Sequence, residues 1–531
     1  MTPEKIEKKE ELAAAPLPPK LRRRDLLLAF STLPVFGGFV AAWLKKRKFD
    51  ERKRQALLKE LGLSAEAPAI LPEGTLKRSS QTIRLGIIGV GGRGEHLLRC
   101  AGFVHPRWIE SRRREAKLNR LNRDLEIFLS QKDTNCVLTA VCDVFDPRAE
   151  RALEASRHVL RNGQVVEEKG AKRFRHYQDL LNSSEVDAVI IATPDHWHAA
   201  MALDAVAAKK HVYLEKCMTR TAEEAVKLYE AVKSSQIIFQ LGHQQRQQES
   251  HLRGRQIVER KLLGKITLVE TTTNRNSPDG AWQYEIPEEA SPENIDWEQF
   301  LGPAPRRPFD VYRFFRWRCW FDYGTGLSGD LLSHEYDAVN QILELGIPKY
   351  AVASGGIYFF KDGRDVPDVF HATFEYPDRE LTLIYSATLA SDRYRGRIFM
   401  GHDAWMEVGE TLTVTADPES TRYKEMYLEE IIEPSLPLFS FRPGAKGIDA
   451  VTSASERYFA TRGLLYSYRA GKRVDISHLH VLEWLDCIRD GRQPSCNIDR
   501  GFEEAITCHM ATESYLRGRR VEWNPEERKI I

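Results

Sequence analysis

The alternation of short apolar runs with helical segments between residues 82 and 216 restricts the fold of this chain more than any other feature. The runs "LGIIGV", "CVLTAVCD", "VDAVIIAT" and "KHVYLEK" have the length and continuous apolar character of strands covered on both faces. Helical patterns lie between them. One, "DPRAERALEASRHVL", opens with Asp146 at a capping position and Pro147 in its first turn. Strand–helix repetition of this kind builds an α/β, doubly wound parallel sheet of Rossmann type. Past residue 220 the pattern changes to alternating strands joined by turn residues such as Pro377-Asp378-Arg379, which predicts an α+β domain with a mostly antiparallel sheet. Two amphipathic helices, "HLHVLEWLDCIRD" and "FEEAITCHMATESYLRG", close the chain. The expected organisation is therefore residues 1–75 as signal, anchor and linker, 76–218 as a nucleotide-binding domain, 219–475 as a substrate domain, and 476–531 as helices packing back on the core.

The N-terminal stretch "LRRRDLLLAFSTLPVFGGFVAAWLKKRK" differs in kind from the rest. Leu26 to Leu44 carry no charge, and such a helix would reach about 28 Å, close to the hydrocarbon thickness of a bilayer. Arg23-Arg24-Asp25-Leu26-Leu27 is similar to a twin-arginine export signal. No small-x-small cleavage site precedes the returning charges, so the expectation is an uncleaved membrane tether and an extracytoplasmic protein. Lys45, Lys46, Arg47 and Lys48 fall on the side to be exported, which runs against the positive-inside rule and leaves the cytoplasmic face as the alternative.

A formal net charge of +2 over 531 residues gives no reason to expect a nucleic-acid partner. The 8 cysteines are scattered, with no C-x-x-C and no zinc-type spacing, so neither a metal nor a disulfide framework is expected.

Gly89, Gly91 and Gly94 form G-x-G-x-x-G, directly after an apolar run and at the opening of a helix. That context suits a dinucleotide pyrophosphate cradle, with Gly92 and Arg93 in the same loop. The next strand ends at Asp143, a carboxylate placed to bind a ribose and repel a 2′-phosphate, favouring NAD over NADP. It lies 49 residues after Gly94, against a usual spacing of about 20. An inserted basic helical stretch around 107–132 accounts for the excess. Two further strand ends, at Thr193-Pro194 (with His198 following) and at Glu215-Lys216, belong at the same crevice, because ligands of such sheets sit beyond the carboxyl ends of the strands.

In "SGDLLSHEYDAVN", residues 328–340, Asp330, His334 and Asp337 recur at spacings of four and three, on one face of a helix. Taken with "GIIGVGGRG", "ATPDHWH" and the Glu-Lys pair of "LEKC", this stretch makes residues 82 to about 520 resemble the Gfo/Idh/MocA oxidoreductases, the glucose–fructose oxidoreductase and inositol dehydrogenase family. The resemblance implies that Lys216 contacts cofactor and substrate, and that Asp330 tunes His334. His334 would then serve as general base for a sugar, cyclitol or glycoside hydroxyl while the adjacent carbon gives hydride to NAD. It also implies substrate contacts from Gln244 and Arg246 in "FQLGHQQRQ", and a homo-oligomer. Tyr323 is the substrate contact chosen from the aromatic-rich "YRFFRWRCWFDYGTG", and Asp337 either orients substrate or closes a polar network. Two positions depart from the family pattern: Cys217 stands where a proline is expected, and Leu332 where a glycine is common. The chain also resembles the exported family 109 glycoside hydrolases, which implies an alternative reaction: oxidation, elimination, water addition and reduction on one bound NAD.

Overall fold

The computed structural model describes residues 81–531 apart from 120–121, 394, 430–431, 433–436, 442–465 and 470–471, together with isolated positions between 38 and 70. Most of the expected signal and anchor over residues 1–75 lies outside the described residues. Among the described residues no helix is long and apolar enough to cross a membrane. Two compact units divide the chain, residues 1–65 and 66–531, and every element below belongs to the second.

The apolar runs form a parallel sheet of six strands: β1 (Ile83–Ile88), β2 (Cys136–Cys142), β3 (Lys172–Arg173), β4 (Ala188–Ile191), β5 (His211–Leu214) and β6 (Phe239–Leu241). Their order is β3-β2-β1-β4-β5-β6. The chain thus starts in the middle, winds one way to β3 and then the other way from β4. This reversal opens a crevice between the carboxyl ends of β1 and β4, where a doubly wound sheet takes its ligands. β1 and β4 are buried almost throughout, consistent with their mostly apolar content, which Arg84 alone interrupts with a charge.

Helix α1 (Gly92–Cys100) follows β1. Two further helices, α2 (Pro106–Leu118) and α3 (Asp124–Leu129), stand between it and β2 and supply the extra residues before Asp143. Helix α4 (Asp146–Ser156) is capped one residue earlier than its sequence suggests, by Phe145. Asp146 caps nothing because its carboxylate is held by Arg173 and Arg175. The later helices of this half are α5 (Asp195–Ala207) and α6 (Ala222–Lys233), the latter opened by a full capping box between Thr221 and Glu224.

After α7 (Glu249–Glu259) the chain enters a ten-stranded sheet. Its strands are β7 (Ile266–Asn274), β8 (Tyr350–Gly356), β9 (Val369–Tyr376), β10 (Leu381–Thr388), β11 (Arg397–Gly401), β12 (Ala404–Val408), β13 (Leu412–Ala416), β14 (Phe439–Phe441), β15 (Val521–Asn524) and β16 (Lys529–Ile530). The order is β14-β13-β12-β11-β7-β10-β9-β8-β15-β16. Pairing is antiparallel except between β7 and β10, which run parallel, so the sheet is mixed. Buried and partly exposed positions alternate along β9 and β10, the mark of a sheet with one face on the core.

Helix α8 (Ser333–Leu343) crosses between the halves. The last two helices, α9 (Ile476–Asp490) and α10 (Ile498–Arg517), return toward the beginning. Val481, Trp484, Leu485 and Cys487 of α9 join Leu85, Ile87, Leu97 and Leu98 in one apolar cluster. Each fully buried side chain of this size contributes about 1.5–3 kcal/mol, so α9 is integral to the nucleotide-binding half.

Candidate active site

The glycine loop follows directly from β1. Gly89 has φ +82°, and a side chain there would meet the carbonyl of Ala192 on the β4 turn, so only glycine fits. A Cβ on Gly94 would overlap the carbonyl oxygen of Gly89, which keeps α1 tight against the loop. Above the loop there is room: a Cβ on Gly92 would touch nothing within 4 Å. The N-terminus of α1 has no side-chain cap, leaving backbone N–H groups and the positive end of the helix dipole to an anion. These features fit a dinucleotide pyrophosphate. Asp143 is buried at the end of β2, where Oδ2 accepts from Val90 N (2.6 Å) and Oδ1 from Phe145 N (2.8 Å), bracing the loop. Arg148, which sequence reasoning missed, lies beside Gly91 with its guanidinium over the rings of Phe145 and Phe315.

Arg93 is the one charged side chain in the loop. Its Nε donates to Glu215 Oε1 (2.8 Å), Nη2 to Gln244 Oε1 (3.1 Å) and Nη1 to Ser477 Oγ (3.1 Å). Four separate segments meet there: the loop, the end of β5, the turn after β6 and the start of α9. Glu215 and Gln244 are therefore placed at the loop by one guanidinium. Thr193 and Pro194 form the β4 turn, with Pro194 at the N-cap of α5. His198 is fully buried behind that turn, its ring nitrogens against the carbonyl oxygens of Thr193 (2.8 Å) and Cys217 (2.6 Å). It ties the two strand ends together rather than facing outward.

Lys216 and the later half of the chain meet at Asp330. The Lys216 ammonium donates to Asp330 Oδ1 and to its carbonyl oxygen, each at 2.7 Å. Arg318 Nε adds a bond to Oδ1 (2.9 Å) and Trp282 Nε1 one to Oδ2 (3.0 Å), partners that no sequence pattern announced. Burial pushes the Asp330 carboxyl up, but the Lys216 and Arg318 cations hold it well below the usual carboxylate range. Asp330 lies in a π-helical turn, Ser328–Leu332, that leads into α8. The sequence reads as one continuous α-helix there. Only glycine fits at position 329 of this turn, since a Cβ would collide with the Thr325 hydroxyl and press on Cys217 Sγ. The Lys216–Cys217 peptide bond is cis.

His334, one turn on, is half-buried, and its ring stands perpendicular to that of His243 with centroids 5.5 Å apart. Burial, then the ammonium of Lys216, hold the imidazole well below its ordinary pKa, so it is neutral near pH 7. Lys216, Asp330 and His334 thus share one site. Three other expected residues are placed differently. Arg246 and Asp337 are buried against each other, with Arg246 Nη2 at 2.6 Å and Nε at 2.8 Å from Asp337 Oδ1. Tyr323 is fully buried among Phe300 and His196, at 5.1 and 5.2 Å between ring centroids, where stacking fixes it as packing.

A doubly wound sheet with an uncapped glycine loop, joined to a mixed-sheet half that delivers an Asp and a His to the same crevice, defines a two-part dinucleotide-binding protein. A family model described as an oxidoreductase family, NAD-binding Rossmann fold, matches residues 83–243, and its C-terminal alpha/beta domain matches residues 253–347. Over these residues, just under half of its length, the chain matches the models of the Gfo/Idh/MocA oxidoreductase family. Among curated relatives, a levoglucosan dehydrogenase of Pseudarthrobacter phenanthrenivorans is 26% identical over 186 residues, 34% of this chain and 41% of the relative. An alpha-N-acetylgalactosaminidase of Shewanella oneidensis is 26% identical over 184 residues, 33% of each chain. The matches therefore span less than half the length of either relative. A solved levoglucosan dehydrogenase in complex with NADH and levoglucosan shares the fold at TM-score 0.51 and 17% identity, covering 83% of this chain and 99% of that one. An aldose-aldose oxidoreductase from Caulobacter crescentus does so at TM-score 0.54 and 14% identity, covering 83% and 100%.

Proposed function

We propose that this protein is an NAD-dependent oxidoreductase that moves hydride between a hydroxyl-bearing carbon of a sugar, cyclitol or glycoside and the nicotinamide. The observation that carries the reading is the convergence of the Lys216 ammonium, the Asp330 carboxylate and a neutral His334 at the carboxyl edge of the parallel sheet. Gly89–Gly94 would cradle NAD, which would supply the hydride acceptor. A neutral imidazole can accept a hydroxyl proton, and a positioned base of this kind contributes about 10²–10⁴ in rate. Lys216 directs two of its hydrogen bonds to Asp330; an ammonium has three donors, so one remains for the substrate oxygen, where it opposes developing negative charge. Asp330 holds that ammonium in place, and Arg318 and Trp282 in turn hold Asp330.

The glycosidase relatives support a second reading, in which the same proton and hydride transfers run forward and back around elimination of an aglycone. Both readings need the same residues. The purified protein should be offered free sugars, inositols and nitrophenyl glycosides. NADH formed in proportion to a free sugar supports the dehydrogenase, whereas nitrophenol released without net NADH supports the hydrolase. Lys216→Met and His334→Ala should each lower turnover at least about 10²-fold with the fold retained. Full activity in both variants would remove the site. Export through the Arg23-Arg24 signal and a membrane tether over Leu26–Leu44 belong to the same proposal. An outer-compartment enzyme gains from a cofactor restored within each cycle. Assembly into a homo-oligomer is proposed on family grounds alone.

A further inference from the structure

His334 accepts a proton in surroundings that disfavour keeping it. Burial and the nearby Lys216 ammonium both favour the neutral ring. A base so placed works poorly unless the proton is shared onward, and the structure holds two groups behind it that the reaction above does not use. His243, on the turn after β6, is 1% exposed, and neither of its ring nitrogens has a hydrogen-bond partner. Glu504, on α10, is fully buried; its Oε2 likewise has no hydrogen bond and lies 3.8 Å from His243 Nε2. His334 Nδ1 is the fourth such buried atom. Buried polar groups are ordinarily satisfied, and each one left without a bond costs about 1–3 kcal/mol. Three such groups are consecutive neighbours, the His334 and His243 rings 5.5 Å apart between centroids and His243 Nε2 3.8 Å from Glu504.

We propose that His334, His243 and Glu504 form a proton relay, in which Glu504 and His243 position and charge-balance the base. This inference rests on the oxidoreductase reading. In the oxidative direction the C–H bond breaks with its electron pair passing to NAD, and the O–H bond breaks with its proton passing to His334. As the C=O bond forms, that proton is handed through His243 to the Glu504 carboxylate; reduction runs the same path in reverse. The products are the ketone, NADH and one proton held on the enzyme. The 3.8 Å gap exceeds a hydrogen bond by about 1 Å, within reach of a side-chain rotation. Other groups face this line. Cys217, Cys496 and Cys508 surround Glu504, and the Cys508 thiol donates to its Oε1 (3.5 Å). Asp337 and His480 face His243, with Arg246 beside them, and Lys216, Asp330 and Arg275 face His334. The three thiols are held protonated by burial. Asp337 is committed to Arg246. Glu504 is therefore the carboxylate left to take the proton.

The test uses the full chain with NAD, Glu504→Gln and His243→Asn, and whichever sugar or glycoside of the panel the wild type turns over. Glu504→Gln keeps the shape and removes the charge. It should lower kcat about 10²-fold with KM unchanged, and move the acid limb of the kcat–pH profile to lower pH, because His334 then loses its negative counter-charge and is protonated less readily. His243→Asn should do the same, which covers the case in which Glu504→Gln does not fold. Histidine ring nitrogen signals followed by NMR against pH give a readout independent of turnover: those of His243 should change in Glu504→Gln. Unchanged kcat, pH profile and ring titration in a folded Glu504→Gln would overturn the relay while leaving the oxidoreductase reading intact. Failure of that reading would show instead as activity surviving Lys216→Met.

Discussion

Replacing Asp337 by leucine separates two roles that one residue can have in this site. Asp337 and Arg246 are buried, with side chains 2% and 5% exposed, and three N–H···O contacts of 2.6 to 3.1 Å join them. Burial pushes the Asp337 carboxyl up, and Arg246, helped by His243 and His480, brings it below its ordinary value. Removing one partner leaves a desolvated guanidinium whose remaining bond runs to the Ser495 carbonyl (2.9 Å). An orphaned charge of this kind costs about 3–5 kcal/mol, whereas replacing both partners by apolar side chains of similar volume is often near neutral. Asp337→Leu should therefore lose about 3–5 kcal/mol, Arg246→Met a comparable amount, and the double variant much less than their sum. The expected coupling is at least about 2 kcal/mol. Urea unfolding of the four proteins, with slopes compared to confirm a common unfolded state, measures it. If Asp337→Leu keeps its midpoint and instead raises KM for the sugar, the pair is a substrate contact and the reasoning fails.

Gly94→Ala should destabilise the fold by about 1–3 kcal/mol, because its methyl would overlap the Gly89 carbonyl. Gly91→Ala, whose methyl would meet only the Arg148 guanidinium at 3.7 Å, should leave the melting temperature alone yet weaken NADH binding at least tenfold; unchanged binding by fluorescence titration would contradict the cradle. Stability should fall as pH drops below about 6.5. Burial lowers His196 to about 4 and His251, His480 and His509 to about 3, so the unfolded chain takes up protons that the folded chain refuses. By pH 5 each such histidine removes about 2 kcal/mol, and a urea midpoint independent of pH between 7 and 5 would refute the assignment.

The parallel sheet was legible because its strands are local, apolar and separated by helices, and the rule that ligands sit at their carboxyl ends carries Lys216 to the crevice without further information. Helical spacing drew attention to Asp330 and His334, and the family resemblance gave them their expected roles. The partners of these residues were not legible. Arg93 reaches Ser477 across 384 positions, and Trp282 reaches Asp330 across 48, distances over which periodicity carries nothing. The π turn was hidden for a related reason: Gly329 within it packs close to Thr325 and to Cys217, the latter in the other half of the fold. Arg246, Asp337 and Tyr323 show the ambiguity of polar and aromatic residues near a site, since the residue type alone does not distinguish facing a ligand from facing one another.

The clasp made by Arg93 gives the end of the chain a stake in its beginning. Ser477 opens the first of the two closing helices, so trimming the last 55 residues would unfasten the glycine loop as surely as a change within it. Whatever orders that loop on cofactor arrival also tightens the root of this terminal helix. Occupancy should therefore be readable as slowed amide exchange near residue 477, far along the polypeptide from the nucleotide.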